Sequence, residues 1–104
     1  SVTRDYVHVS DICNAIYKSI KDKNGPKTYH VGTGKETSIK QLIKIFKTEC
    51  VNHDIDVKYG LDRVGDMKKN YTSITKIKKD LKWQPKISLS KGFAQTFKWF
   101  MSQK

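Results

Sequence analysis

The sequence predicts an α/β fold in which packed helices cover a small, incomplete sheet. Short β-branched and aromatic segments alternate with longer segments whose apolar residues recur every three or four positions. Glycine, proline and helix-capping residues separate these segments. The 104 residues, 37% of them apolar, suffice for one modest core. We therefore expect a single domain, residues 1–104, with the element order β-α-β-α-β-loop-α-α.

A strand and a helix open the chain. Residues 2–9 are β-branched and aromatic with partial alternation, which predicts a strand. Ser10 or Asp11 then caps a helix, which Asn24-Gly25-Pro26 ends. The predicted inward stripe of this helix consists of Ile12, Ala15, Ile16 and Ile20.

A second strand and a second helix follow. Residues 28–31 predict a short strand that ends at the Gly32-Thr33-Gly34 turn. Ser38 and Gln41 have the spacing of a capping box, in which each side chain accepts a hydrogen bond from the other residue's main-chain N–H. The predicted inward face of this helix consists of Ile39, Leu42, Ile43, Phe46 and Cys50.

The second half begins with a strand and ends with two helices. Residues 55–59 alternate between apolar and charged side chains, the period of a half-buried strand, and residues 60–67 predict a loop. Ser73 caps a short helix that closes at Trp83-Gln84-Pro85, and the last helix starts near Ser88. The predicted apolar faces are Ile74, Ile77 and Leu81 in the first helix and Leu89, Phe93, Phe97 and Phe100 in the second.

The strongly basic composition is compatible with nucleic-acid binding. The chain carries 21 Lys plus Arg against 10 Asp plus Glu, a formal net charge of +11. Only Arg4 and Arg63 are arginines, whereas the 19 lysines are scattered over every segment. Proteins that read bases or clamp phosphates rely on guanidinium groups. A basic module that binds nucleic acid or another polyanion through its lysines therefore remains only the alternative function.

The cysteines, the histidines and the length of the apolar runs limit the classes of protein to which the chain can belong. Cys13 and Cys50 both fall on apolar faces of predicted helices, so we expect buried free thiols in a reducing cytoplasm. The three histidines lie far apart with no i,i+4 spacing, and we expect no metal site. No apolar run approaches the roughly 20 residues of a membrane-spanning helix, and the N-terminus lacks a signal-peptide pattern. We expect a cytoplasmic protein with no membrane partner.

Four short motifs in fixed order carry a resemblance. They are Arg4-Asp5-Tyr6-Val7-His8-Val9-Ser10-Asp11, Tyr29-His30-Val31-Gly32-Thr33-Gly34, Arg63-Val64-Gly65-Asp66 and Leu81-Lys82-Trp83-Gln84-Pro85, the last followed by a helix ending in Lys98-Trp99-Phe100. This succession resembles the C-terminal portion of the extended short-chain dehydrogenase/reductase family of nucleotide-sugar epimerases and dehydratases, most closely the UDP-glucose 4-epimerase type. The resemblance spans essentially the whole chain.

The resemblance implies a function and a site. In that family an N-terminal Rossmann domain holds NAD, and the C-terminal region closes over the nucleotide diphosphate of the sugar substrate. It implies that Arg4 and Arg63 contact the diphosphate, with Tyr6 nearby, and that Asp66 accepts a hydrogen bond from a ribose hydroxyl. A guanidinium suits a diphosphate because it can donate two parallel hydrogen bonds to the phosphate oxygens.

We therefore expect the chain, which begins at Ser1 rather than at a methionine, to be the substrate-binding fragment of a longer, homodimeric enzyme. The fragment would not be catalytic alone, because the NAD domain would be absent from it. An apolar surface that the Rossmann half would cover could then make the fragment dimerise. The sequence leaves open which sugar is bound and whether the parent is an epimerase, a dehydratase or a decarboxylase.

The candidate residues also fit plain structural roles. Arg4 could be an edge-strand cation paired with Asp5 or Asp11, and Tyr6 could simply pack within the strand. The Arg63-Val64-Gly65-Asp66 motif could be an ordinary turn with a local ion pair, in which the glycine supplies a positive φ.

Three further patterns receive structural interpretations. Tyr17 and Lys21 have the Tyr-x-x-x-Lys spacing of the family's catalytic pair, but in the family that pair precedes the Arg-Asp-Tyr motif, so we expect ordinary helix neighbours. Gly32-Thr33-Gly34 lacks the third glycine of a dinucleotide fingerprint and predicts a turn. Lys82 stands where relatives generally carry glycine, at a predicted left-handed helix terminus.

Overall fold

Four helices and a two-stranded sheet make up the regular structure in a computed structural model that describes residues 2–23, 25, 27–49, 56–58, 60 and 68–103. In chain order these elements are β1 (Thr3–Arg4), α1 (Val9–Lys21), β2 (Thr37–Ser38), α2 (Ile39–Glu49), α3 (Thr75–Leu81) and α4 (Leu89–Ser102). The strands pair antiparallel, with Thr3 opposite Ser38 and Arg4 opposite Thr37. The predicted α/β class, with helices around a small incomplete sheet, is confirmed.

The sheet is smaller than the strand propensities predict. Of residues 2–9, only Thr3–Arg4 form a strand. Residues 28–31 are described but not in a strand, because no segment in the described part of the chain pairs with them. A strand needs a paired neighbour for its main-chain hydrogen bonds, so propensity alone does not create one. Residues 56–58 are also outside any strand, and the rest of the strand predicted over residues 55–59 lies outside the described residues.

The predicted cap of α1 is wrong. His8 is the N-cap: its backbone is extended (φ −71°, ψ 143°), and its Nδ1 accepts a hydrogen bond from the Ser10 amide at 3.1 Å. Asp11 lies inside the first turn and is only 4% exposed. Its carboxylate accepts hydrogen bonds from the main-chain amides of Lys86 and Ile87, each at 3.1 Å. A long-range role therefore replaces the local one that its position suggests.

The caps of α2 and α4 are confirmed. The Ser38 amide donates to Oε1 of Gln41 at 2.8 Å, and the Gln41 amide donates to Oγ of Ser38 at 3.2 Å, the reciprocal pair of a capping box. At the start of α4, Oγ of Ser88 accepts from the Lys91 amide at 3.2 Å. These bonds satisfy amides that a helix start leaves without an intrahelical partner.

One end of α3 follows the prediction and the other does not. The N-cap is Ile74, which makes no side-chain capping bond, so the predicted cap at Ser73 is wrong. Oγ of Ser73 instead donates to Oγ1 of Thr75 at 3.3 Å. The helix ends at Lys82 in the left-handed conformation, with φ 55° and ψ 30°, as predicted.

The main core lies where α1 packs against α3. Its fully or nearly buried members are Ala15, Ile77, Leu81 and Trp83, against which Tyr29, Val31 and Ile74 pack. Nζ of Lys18 donates to the carbonyl oxygen of Lys82 at 3.0 Å and so also links the two helices. Both the apolar contacts and this hydrogen bond fix α1 on the C-terminal end of α3.

The inward face predicted for α1 is partly wrong. Ile16 is 54% exposed and Ile20 is 76% exposed. Cys13 is exposed, which contradicts the predicted buried thiol. The reason is the size of the neighbour, because α3 has only 7 residues and covers a narrow stripe of α1 around Ala15. Cys50 lies outside the described residues.

A second apolar cluster joins α2 to α4. The ring of Phe46 meets the rings of Phe93 and Phe97 edge-on, with centroids 5.7 Å and 5.3 Å away, a favoured aromatic geometry. Ile39 and Phe100 are 44% and 51% exposed, so their predicted inward orientation is wrong. Both lie near the ends of their helices. None of the helices in the described ranges is long and apolar enough to cross a membrane.

Candidate functional site

Asp5 joins three segments of the chain at the end of β1. Its Oδ1 accepts hydrogen bonds from the amide and hydroxyl of Thr33, at 2.9 Å and 2.6 Å. Its Oδ2 accepts from the amides of Gly34 at 3.0 Å and Thr72 at 3.3 Å. Gly32 makes this approach possible, because a Cβ at that position would lie 2.7 Å from Oδ2 of Asp5 and 2.5 Å from Cγ2 of Thr72.

The hydrogen bonds keep the Asp5 carboxylate ionised. Desolvation by burial acts to raise the pKa of Asp5, but hydrogen bonds from the Thr33 hydroxyl and from the amides of Thr33, Gly34 and Thr72 outweigh it. The pKa therefore lies below its ordinary value of 3.8. At neutral pH the site contains a charged acceptor whose oxygens are already engaged.

Two of the candidate substrate-binding residues, Arg4 and Tyr6, lie on either side of Asp5 in the chain. Arg4 is half-buried opposite Thr37 in the sheet, and its Nη1 donates to the carbonyl oxygen of Thr3 at 2.7 Å. Tyr6 is half-buried and lines a cleft to which Thr37 also contributes. Arg4 thus pairs with a residue of β2, Thr37, that lines the same cleft as Tyr6.

The cleft beside Tyr6 suits an anion. It has a volume of about 390 Å³ and lies between the turn before β2 and the start of α4. Its polar lining residues include Tyr6, Thr33, Lys35, Thr37, Lys86 and Ser88. None of the described residues that line it is acidic. Hydroxyl groups can donate hydrogen bonds to phosphate oxygens, and lysines raise the local concentration of an anion.

The other two candidates, Arg63 and Asp66, lie outside the described residues. Lys68 is the first described residue after them, and its carbonyl oxygen accepts a hydrogen bond from the Thr3 amide at 2.7 Å. With the bond between Thr72 and Asp5 at 3.3 Å, this contact places the segment that follows Asp66 in sequence directly beside β1.

The Gly32-Thr33-Gly34 turn does not fit the diphosphate of NAD. Such a site needs main-chain amides that point at the phosphates and are free to donate. Here the amides of Thr33 and Gly34 donate to Asp5 instead. Among the described residues, no group of three or more His, Cys, Asp or Glu could hold a metal ion.

Two tyrosines with polar partners lie away from the cleft. Tyr17 is 56% exposed on α1, and Nζ of Lys21 lies 4.5 Å from its ring centroid, a cation–π contact. The hydroxyl of Tyr29 donates to Oδ2 of Asp80 at 3.2 Å. Desolvation, followed by the charge of Asp80, raises the pKa of Tyr29 above 10.0. A raised pKa makes the phenolate harder to form, so Tyr29 is poorly suited to act as a general base.

Asp5 is not among the site residues that the sequence predicts, and for Asp11 the sequence predicts only a local role. Both belong to the first of the four motifs, and each binds main-chain amides of a later motif or of the residues next to it. The sequence did contain a signal for these contacts. The first motif has an aspartate in each half, and a glycine-rich motif and a Trp-x-Pro motif further along the chain can supply main-chain amides to them. Only the three-dimensional structure shows which aspartate meets which motif.

The fold is the one that solved epimerases of the extended short-chain dehydrogenase/reductase family share. Residues 1–96 match the family model described as GDP-mannose 4,6 dehydratase. The chain therefore belongs to this family.

Individual relatives are UDP-glucose 4-epimerases. The enzyme of Mycolicibacterium smegmatis is 31% identical over 103 residues, which are 99% of this chain and 33% of that protein. The Thermotoga maritima epimerase, solved with UDP-glucose, is 33% identical with a TM-score of 0.88, over 98% of this chain and 32% of its own. The Bifidobacterium longum epimerase, solved with NAD⁺ and UDP, is 28% identical with a TM-score of 0.88, over 98% and 31%.

These similarities confirm the predicted resemblance to nucleotide-sugar epimerases and dehydratases. They cover almost all of this chain, as the spread of the four motifs predicts. The chain spans about a third of the length of the curated relatives that it matches.

Proposed function

We propose that this chain is the sugar-nucleotide-binding portion of an NAD-dependent, UDP-glucose 4-epimerase-like enzyme of the cytoplasm. In this proposal Arg4 and Arg63 contact the diphosphate, Tyr6 lies beside it, and Asp66 accepts a hydrogen bond from a ribose hydroxyl. The observation that carries the proposal is the basic, hydroxyl-lined cleft that Tyr6 and Thr37 both line, with Arg4 paired to Thr37 in the adjoining sheet. The T. maritima relative, which was solved with UDP-glucose, supports the choice of ligand.

The proposal assigns NAD and catalysis to a Rossmann domain outside this chain. The occupied amides of the Gly32-Thr33-Gly34 turn support that assignment, since they are not available to a dinucleotide. The B. longum relative, solved with NAD⁺ and UDP and about three times as long as the matched region, also supports it. The parent enzyme would then be a homodimer that acts on UDP-sugars, and this chain alone would not turn over its substrate.

A nucleic-acid or polyanion module is the second candidate. The observation in its favour is that Lys76, Lys78 and Lys79 are all exposed on α3, in a chain with a net charge of +11. Binding of that kind depends steeply on salt, because each phosphate contact releases counterions. A sugar-nucleotide site with two guanidinium groups and hydroxyls would instead retain part of its affinity at moderate salt.

Titration of the full 104-residue chain with UDP and UDP-glucose, followed by amide chemical shifts, tests the proposal. We expect saturable shifts at Arg4, Tyr6 and Thr37, and weaker binding in Arg63→Ala. Arg63→Lys should recover only part of the affinity, since an ammonium cannot donate the parallel pair of bonds. Lys98→Ala, which removes the same charge from an exposed position on α4, is the matched control.

Equal UDP affinity in the wild type and Arg63→Ala would refute the assigned role. A gel-shift titration with DNA and RNA at two salt concentrations distinguishes the second candidate. A retained complex at moderate salt, without UDP-induced shifts, would favour the polyanion module.

A further inference from the structure

We propose that Asp5 is a positioning residue of the anion site: it holds Arg4 and Tyr6 in place and does not itself touch the ligand. Asp5 lies between the two candidates in sequence. Its carboxylate binds the Gly32–Gly34 turn and Thr72, and these bonds would fix the position of its main chain. The inference rests on the proposed function for the class of ligand, a nucleoside diphosphate.

The first support is the saturation of the carboxylate. An ionised carboxylate has about four acceptor positions, and four donors meet Asp5: the amide and hydroxyl of Thr33 and the amides of Gly34 and Thr72. Its low pKa, which these bonds cause against the effect of desolvation, agrees with an acceptor engaged in this way. The group is therefore committed to the protein rather than to a ligand.

The second support is that the hydrogen bonds of Asp5 affect the positions of both candidates. Arg4 and Tyr6 are the covalent neighbours of Asp5, so a displacement of its main chain moves both. Thr3, only 7% exposed, binds the carbonyl oxygen of Lys68 at 2.7 Å. Residues 3–6 are thus held twice by one later segment, through Lys68 and through Thr72, and this segment follows Arg63 and Asp66 in sequence.

The third support is that few other side chains could replace Asp5. Asparagine offers one carbonyl oxygen and points an NH₂ group at donors, so it loses about half of the acceptor positions. Glutamate retains the charge but adds a methylene group. The close approach at Gly32, where a Cβ would already lie 2.7 Å from Oδ2 of Asp5, leaves no space for that extension without movement of the turn.

The test compares Asp5→Asn with Asp80→Asn in the full chain. Both wild-type carboxylates are half-buried, and both substitutions remove one negative charge. Asp80 binds Tyr29 at 3.2 Å and Lys27 at 3.8 Å and does not line the cleft. The dissociation constant for UDP is measured from amide shifts, and urea unfolding establishes conditions in which each variant is folded.

We expect Asp5→Asn to weaken UDP binding roughly tenfold, the size of one lost charged hydrogen bond. Asp80→Asn should bind UDP as the wild type does even where its stability is lower, which separates positioning from a general loss of stability. Equal UDP affinity in folded Asp5→Asn and in the wild type would overturn the inference.

A measurement without ligand separates this inference from the proposed function. In the free chain, nuclear Overhauser contacts from the Tyr6 ring to the methyl groups of Thr33 and Thr37, which line the same cleft, should weaken in Asp5→Asn and persist in Asp80→Asn. If the wild type fails to bind UDP but these contacts respond as expected, the proposed function fails and the positioning role of Asp5 stands. Unchanged contacts in Asp5→Asn overturn the positioning role whatever UDP does.

Discussion

The indole Nε1 of Trp83 donates a hydrogen bond to the main-chain oxygen of Asp11 at 2.9 Å, across 72 residues of sequence. Trp83 has no exposed surface. The Asp11 carboxylate accepts hydrogen bonds from the main-chain amides of Lys86 and Ile87, which follow Trp83 closely in sequence. The fourth motif of the sequence is therefore bound to the end of the first. This junction connects α1 to the segment between α3 and α4.

Removal of the indole donor should destabilise the fold. Trp83→Phe keeps an aromatic ring but deletes the N–H group and leaves a small cavity, so we expect the free energy of unfolding to fall by about 1 to 3 kcal/mol. Urea unfolding followed by circular dichroism measures the change. Trp99→Phe is the control, because Trp99 is 63% exposed on α4. A loss for Trp83→Phe no larger than that of the control would contradict the role of this bond.

The sequence predicts local features of this fold better than long-range ones. The capping box of Ser38 and Gln41 is confirmed, because its determinants lie within a few residues. The left-handed end at Lys82, which the resemblance implies, is confirmed as well. The position of Asp11 predicts a local cap, yet its carboxylate binds amides 75 and 76 residues away. A side chain that has both a local and a distant option cannot be assigned without knowledge of which segments meet.

The same distinction applies to the candidate site. The resemblance names Arg4 and Tyr6, and in the structure Arg4 pairs with Thr37 while Tyr6 and Thr37 line one cleft. The role of Asp5 between them could not be predicted, because it depends on a glycine 27 residues downstream that lets Thr72 and Asp5 approach each other. Nothing in the spacing of these residues indicates that contact.

The left-handed residue at the end of α3 should be a site of stabilisation. Lys82 has φ 55°, a conformation that costs a side-chain residue about 1 kcal/mol relative to glycine. We expect Lys82→Gly to raise the free energy of unfolding by up to about 1 kcal/mol, since the carbonyl that Lys18 binds is retained.

Lys79→Gly provides the matched comparison in the same urea experiment. Lys79 is an exposed residue inside α3, where glycine costs about 1 kcal/mol. The two substitutions should therefore change stability in opposite directions. A loss of stability in both would show that the backbone of Lys82 is not strained.

The close approach at Gly32 should make that position intolerant of alanine. The added Cβ would meet Cγ2 of Thr72 at 2.5 Å and Oδ2 of Asp5 at 2.7 Å, so at least one of them must move. We expect Gly32→Ala to lower the free energy of unfolding by about 1 to 3 kcal/mol. Gly60→Ala is the control, because among the described residues beyond its chain neighbours no atom lies within 4 Å of the place that its added methyl group would take. A similar loss in both variants would refute the steric explanation.

The thiol of Cys13 should react in the native chain. It is exposed on the outward side of α1, and thiol modification depends on access as well as on thiolate formation. In a Cys50→Ser background, we expect a thiol reagent to modify the folded chain at a rate within a few fold of that in urea. The additional substitution Cys13→Ser should abolish the signal. Modification only after addition of urea would place Cys13 in a covered surface.

Asp5 should make the stability of the chain depend on acid pH. Its pKa in the folded chain lies below the ordinary value of 3.8, so near that pH the unfolded chain binds more protons than the folded one. The stabilisation is fully present above the unfolded pKa and is lost as the pH falls through the folded pKa. Urea unfolding of the wild type and Asp5→Asn at about pH 6 and near pH 3 measures this contribution, because other carboxylates contribute to both chains and cancel in the difference. We expect the wild type to lose more stability than the variant between these pH values, and equal losses would contradict the hydrogen-bonded, ionised state of Asp5.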